Sequence, residues 1–150
     1  ASIVLASLNS ARKKSRDARR ITDIKQIQLA LELAYDAASP PAYPVAVAPD
    51  TGCANKRGLN VLATGGYIPQ VPVDPQGGCY LYSTRSSSIT RYHLGATLEE
   101  ASNPALNSDK DCDDVSNGCG FTAVASTGFD GNGSGANGDE TTAPVYDVVP

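Results

Sequence analysis

The sequence predicts an α+β fold: a long N-terminal α-helix packed on a small antiparallel β-sheet, with a loop-rich C-terminal part. Three observations predict it. Apolar residues recur at helical spacing between residues 21 and 35, and the run stops at Ser39-Pro40-Pro41. Three candidate strands, Cys79–Ser83, Ile89–Leu98 and Pro144–Val149, come after that helix. The chain of 150 residues carries 14 glycines and 10 prolines, so much of it must be loop.

In the helix, Ile21, Ile24, Ile27, Leu31 and Tyr35 form one stripe about 120° wide at ~100° per residue. That stripe should cover a sheet. Leu29 and Leu33 lie off it. They meet either a part of the domain that wraps around the helix or another copy of the chain. Proline excludes helix in the residue before it, so the helix ends ahead of Pro40. A helix from residue 2 to 37 would be about 54 Å long at ~1.5 Å per residue. That exceeds the width of a compact domain of this size, so residues 1–38 read as a helix that is stalk in its first half. Residues 39–150 read as a globular head.

The first eight residues, ASIVLASL, are apolar but too few to cross a bilayer, which takes about 20. They suit the stump of a longer hydrophobic helix or a frayed helix start. The next twelve, NSARKKSRDARR, hold no large apolar side chain. Their charges point in every direction on a helix, so the segment should project into solvent or onto a neighbour.

Beyond the helix, residues 39–52 read as a Pro/Ala loop and residues 56–66 as a short helix ending at Gly65-Gly66. Pro69, Pro72 and Pro75 force residues 67–75 to run extended. Alternation is clearest in Tyr80/Tyr82 and Tyr92/Leu94, which suggests an antiparallel meander with short connections. Residues 99–143 are mostly Gly, Asn, Asp and Ser.

The net charge of −4 is unevenly spread. Residues 1–25 hold seven of the 12 basic residues and two acids, whereas residues 99–150 hold ten acids and one base, Lys110. The basic patch (Arg12, Lys13, Lys14, Arg16, Arg19, Arg20) and the acidic C-terminal part are two different surfaces on one copy. Such surfaces suit a heterologous, non-closing contact between copies. Nucleic acid is a poor alternative partner, because the rest of the chain is acidic and no aromatic is interleaved with the cations.

The cysteines are Cys53, Cys79, Cys112 and Cys119. An even count in a Gly-rich chain points to two disulfides and an oxidising compartment. Three pairings are possible; Cys53–Cys79 with Cys112–Cys119 is favoured because each closes a short loop. Zinc is disfavoured, since no pair has Cys-x-x-Cys spacing and the single histidine, His93, is isolated. That lone histidine also leaves little support for catalysis, and no enzyme is expected.

The opening ASIVLASLNSARKKSRDARRITDIKQIQLALELAYDA resembles the latter part of the N-terminal helix of type IV pilins and type II secretion pseudopilins. Tyr43-Pro44, Gly66-Tyr67-Ile68-Pro69 with Pro72 and Asp74-Pro75, Cys79-Tyr80-Leu81-Tyr82, Tyr92-His93-Leu94 and the ending Tyr146–Pro150 resemble segments of small members of that family. The likeness is weak over residues 99–143. It implies the pilin fold and a structural role in a cell-surface filament outside the cell, built by stacking helices. The implied partners are other copies, related pilins, the inner-membrane assembly machinery, and the membrane itself before assembly. Family members carry a leader, a cleavage site, an apolar membrane-spanning stretch and an early glutamate. All are expected upstream of Ala1, so the chain reads as an N-terminally truncated, soluble head. The residues expected to face other subunits are Arg12, Arg16, Arg19, Arg20, Leu29 and Leu33.

Calcium is the one cofactor the sequence suggests. In residues 130–140, Asp130, Asn132 and Ser134 alternate with glycines, and Asp139 follows. Oxygens so spaced can curl around an ion that takes six to eight oxygen ligands. The loop resembles an EF-hand start, but Thr141 stands where the twelfth-position glutamate should be. It also resembles the Asp/Gly-rich calcium loop of the major pseudopilin. Asp109, Asp111 and Asp113 form a second candidate set. The alternative function is a secreted calcium-dependent adhesin or binding module. A membrane segment ahead of Ala1 would favour the pilin, and a cleavable secretory signal the module.

Overall fold

The computed structural model describes residues 2–48, 51–85, 89–114, 118–123, 127–129 and 144–150. Helix α1 runs unbroken over Ser2–Ala37, 36 residues, or about 54 Å at ~1.5 Å per residue. Its last turn closes with the Ala38 amide donating to the carbonyls of Ala34 (3.1 Å) and Tyr35 (3.2 Å) just ahead of the prolines. A second helix, α2, is short, Asn60–Thr64. The Gly65 amide donates to the Val61 carbonyl at 2.8 Å, and the chain then runs without helix or strand to Tyr80.

Strands β1 (Leu81–Thr84), β2 (Tyr92–Thr97) and β3 (Val145–Val148) form a sheet in that order. Both pairings are antiparallel, with Tyr82 opposite Leu94 and Leu94 opposite Val148. The architecture is therefore α+β, with a long N-terminal helix and a small antiparallel sheet. Strands β2 and β3 are shorter than their candidate segments at both ends, whereas β1 starts two residues later than its candidate and runs one further, to Thr84. The link from β2 to β3 spans residues 98–144, the long Gly/Asn/Asp/Ser-rich stretch between the second and third candidate strands, and includes a 3-10 turn at Pro104–Asn107.

Strand alternation gives the sheet two different faces. Tyr82, Tyr92, Leu94, Ala96 and Tyr146 share the face that packs with Ile24, Ile27 and Leu31 of α1 in one buried core. The helical stripe read from the sequence is thus the core-facing stripe, with Ile21 and Tyr35 at its margins. Tyrosine hydroxyls reach back to the helix: Tyr80 donates to Asp23 at 2.6 Å, and Tyr43 and Tyr92 donate to Glu32. Each aromatic body fills core volume while its polar tip is satisfied.

The opposite face carries Ser83, His93 and Asp147, and it is covered as well, by residues 110–114 and Phe129. Gly95 makes that cover possible. A Cβ there would lie 3.0 Å from the Phe129 ring, which stacks on His93 with centroids 3.8 Å apart.

Both disulfides have the favoured pairing. Cys53–Cys79 (Cα separation 5.6 Å) ties the region before α2 to the approach of β1. Cys112–Cys119 (5.1 Å) clips the segment over the second sheet face.

Candidate functional site

The expectation that residues 9–20 stay clear of their own head is corrected for the second half of that segment. Arg20 is only 3% exposed and Asp17 is fully buried. All five guanidinium N–H groups of Arg20 are used. Nε and Nη2 donate to the two oxygens of Asp74 (2.6 and 2.9 Å), and Nη2 also to Gln76 (2.8 Å). Nη1 donates to Asp17 and Glu99, both at 2.7 Å. Asp17 in turn accepts the amides of Glu99 and Glu100, and Arg16 forms a two-pronged pair with Glu99 at 2.6 and 2.7 Å. The hydrogen bonds from Arg16, with those from Arg20, pull the Glu99 carboxyl down to about 2. Burial pushes Asp74 upward, but the Arg20 bond, the Gln76 amide and the Arg20 charge together outweigh it, and its pKa ends below the ordinary value. A charged segment can dock on its own domain when acids at both ends of the contact complete the cation's bonds. Arg20 is therefore unavailable to another copy, and Arg16 is largely committed within the chain.

Arg12 and Arg19 are exposed, as are Lys13 and Lys14. Arg19 reaches Asp23 at 3.8 Å. Among the described residues Arg12, Lys13 and Lys14 form no ion pair.

Leu29 and Leu33 point away from the head, 64% and 48% exposed. They belong to a longer feature. Val4, Leu8, Ala11, Ser15, Ala18, Thr22, Gln26, Leu29 and Leu33 are all exposed. At ~100° per residue they fall within an arc of about 80°, centred opposite the core stripe. Between Val4 and Leu33 no charged residue falls inside it; Asp36, on the same arc, follows just beyond Leu33. The stripe is apolar at both ends and small in the middle. Beside it, Lys14, Ala18, Ile21, Glu100, Asn103 and Pro104 line a cleft of ≈ 460 Å³ between α1 and the loop after β2.

Behind the sheet lies a buried polar cluster that the sequence did not reveal. His93 Nδ1 is 2.9 Å from Asp114 Oδ2, and Nε2 is 2.6 Å from Asp147 Oδ2. Ser83 donates to the same Asp114 oxygen. Burial pulls the His93 pKa down, but the hydrogen bonds to the two carboxylates outweigh it and the net shift is upward. With an acceptor at each nitrogen, the ring is an imidazolium donating at both ends. All four side chains are fully buried. The serine bonds the carboxylate rather than the imidazole, so no activated nucleophile results. The cluster binds β1, β2, β3 and the clipped segment together.

Of the second calcium candidates, Asp109 and Asp111 do come together, but with Asp147 rather than Asp113; the three carboxylates lie within 4.8 Å of one another. The residues present fit a calcium ion poorly. Asp147 Oδ1 accepts the amides of Lys110 (3.0 Å) and Asp111 (2.8 Å). Its Oδ2 accepts His93 Nε2 and the Cys112 amide (3.3 Å). Those bonds occupy its lone pairs. Asp109 and Asp111 alone fall well short of six oxygens. Burial, and secondarily the Asp147 charge, raises the Asp111 pKa, as expected of carboxylates without a cation between them. The first calcium candidates, Asp130, Asn132, Ser134 and Asp139, lie outside the described residues.

No helix among the described residues is long and apolar enough to cross a membrane. No protein-family model matches this chain, and no curated protein or solved structure does either.

Proposed function

We propose that this chain is a structural subunit of a bacterial type IV pilus or pseudopilus filament, with the pilin fold and no chemistry in its head. The supporting observation is the uncharged, exposed stripe that follows α1 on the side away from the head. A globular protein needs only one apolar helix face, and α1 already has one. A second face, small enough in its middle for close backbone approach, suits packing against helices of other copies. The cations Arg12, Lys14 and Arg19 flank it. Singly such charges contribute about 0–1 kcal/mol, and their larger effect is on register. In this reading the filament is extracellular and its subunits are held in the inner membrane before assembly.

The double variant Leu29→Lys/Leu33→Lys tests the reading. Surface changes of this kind move stability by about 0.5 kcal/mol or less. Cells carrying it should show no filaments by electron microscopy while the purified head keeps its melting temperature. Normal filaments would remove the proposal.

The second reading, a secreted calcium-dependent adhesin, is favoured by the approach of Asp109, Asp111 and Asp147 and opposed by the saturation of Asp147. It requires that calcium raise the melting temperature and that a chelator reverse the rise. An unchanged melt in chelator rejects it.

A further inference from the structure

Cys112, Cys119 and His93 meet behind the sheet. Along the sequence they do not look like metal ligands. The cysteines are 7 positions apart, wider than common zinc spacings, and His93 is the only histidine in the chain. In space, however, one His93 ring nitrogen and the two sulfurs lie within 4.8 Å of one another. All three residues are buried. Each ring nitrogen also faces a carboxylate, Asp114 at Nδ1 (2.9 Å) and Asp147 at Nε2 (2.6 Å). The Cys112 amide donates to that same Asp147 oxygen at 3.3 Å.

While the sulfurs are bonded to each other they hold no metal. We propose that once the Cys112–Cys119 bond is reduced, the two thiolates, His93 and one of its two carboxylates bind zinc. Thiolate and imidazole together suit that ion. Tetrahedral zinc places its ligand atoms roughly 3.3–3.8 Å apart. With Cα atoms 5.1 Å apart, the freed sulfurs reach that spacing by side-chain rotation. The ion takes the place of the proton between a ring nitrogen and its carboxylate, so the displaced hydrogen bond frees a lone pair for the metal. The other carboxylate keeps its bond to the far nitrogen and fixes the ring, as partners of metal-bound imidazoles do. Two thiol protons and the imidazolium proton leave as the ion enters. Arg57, whose charge acts on Asp114, offsets part of the negative charge of the site. Zinc and the disulfide are thus alternative clips for one segment. A disulfide donor that takes two electrons from the thiolates expels the ion. The inference stands whether or not the chain builds filaments.

The test reduces the whole chain in denaturant with a water-soluble phosphine and refolds it with cobalt(II) or zinc. The phosphine supplies the two electrons and becomes its oxide with oxygen from water, whose protons go to the sulfurs. The refolded chain should show the thiolate-to-cobalt charge-transfer band and the intense visible bands of a tetrahedral site, both lost on adding zinc. The oxidised chain should show neither. Cys53→Ser/Cys79→Ser should keep the bands and Cys112→Ser/Cys119→Ser should lose them. His93→Gln should bind more than about 100-fold more weakly, since even partners of ligands contribute about 10–100-fold. X-ray absorption of the zinc-loaded parent needs no variant to fold. It should find two sulfurs at ~2.3 Å and two nitrogen or oxygen atoms at ~2.0 Å. A reduced parent without the bands overturns the proposal. So do bands that survive Cys112→Ser/Cys119→Ser, undiminished binding in His93→Gln, or a shell of three or four sulfurs, each of which places the ion elsewhere.

Discussion

Arg20 and His93 are both buried cations held between carboxylates, on opposite sides of the sheet. Arg20 joins α1 to the loops at 74–76 and 99–100. His93 joins β2 to β3 and to the segment clipped by Cys112–Cys119. A guanidinium stays charged at any pH the protein survives, whereas an imidazolium does not. The stalk is therefore fastened by a contact that only its acids can switch off. The back of the head is fastened by one that its own cation can switch off.

The largest expected effect is at Arg20. Arg20→Ala leaves Asp17 and Asp74 without their cation and should cost about 3–5 kcal/mol in a denaturant titration. Arg20→Lys should recover only part, because an ammonium cannot make the two-pronged bond to Asp74. A loss under about 1 kcal/mol would show that the contact is incidental.

His93→Phe keeps the stacking on Phe129 but leaves two buried acids, and a loss of about 3 kcal/mol is expected near neutral pH. The wild type should lose that same contribution by titration. The folded His93 pKa is raised, so its stabilisation is complete below the ordinary value of 6.5 and fades as pH rises through the folded value. Glu99 and Asp74 are lowered, so their stabilisation is complete above their ordinary values of 4.5 and 3.8. The Glu99 contribution fades as pH falls toward about 2, and the Asp74 contribution as pH falls through its own lowered value. Denaturant midpoints measured from about pH 6 to about pH 9 should fall in the wild type and stay level in His93→Phe. A wild-type midpoint that does not fall would mean that the ring is not a charged link.

The disulfides should differ by less. On chain-entropy grounds, with sequence separations of 26 and 7, removing Cys53–Cys79 should cost about 3.5 kcal/mol and Cys112–Cys119 about 2.5 kcal/mol. Only the second loss should also flatten the alkaline response, because that clip holds Asp114 near His93. Equal alkaline responses in the two variants would contradict the link between clip and histidine.

These two contacts also mark where the sequence was readable. Ile24, Ile27 and Leu31 stand out because helix periodicity is local. The three strands stand out because alternation and flanking turns are local too. Arg20 sits in a run of charges that reads as solvated, and its partners Asp74 and Glu99 are 54 and 79 residues away. Nothing in residues 9–20 by themselves separates it from Arg12 or Arg19. At His93, alternation does place the side chain opposite Tyr92 and Leu94. Its partners Asp114 and Asp147 lie 21 and 54 residues on, beyond the reach of any short pattern. The outward stripe lies between these cases. Leu29 and Leu33 are conspicuous, but the small residues that continue the line look like filler until the core side of the helix is known.

The account depends most on that stripe being a contact between copies. A photo-reactive amino acid in place of Thr22, at the middle of the stripe, tests this in intact cells. Illumination should produce a ladder of cross-linked multimers of the chain. A chain that stays entirely monomeric after efficient activation at Thr22 would contradict the assembly proposed.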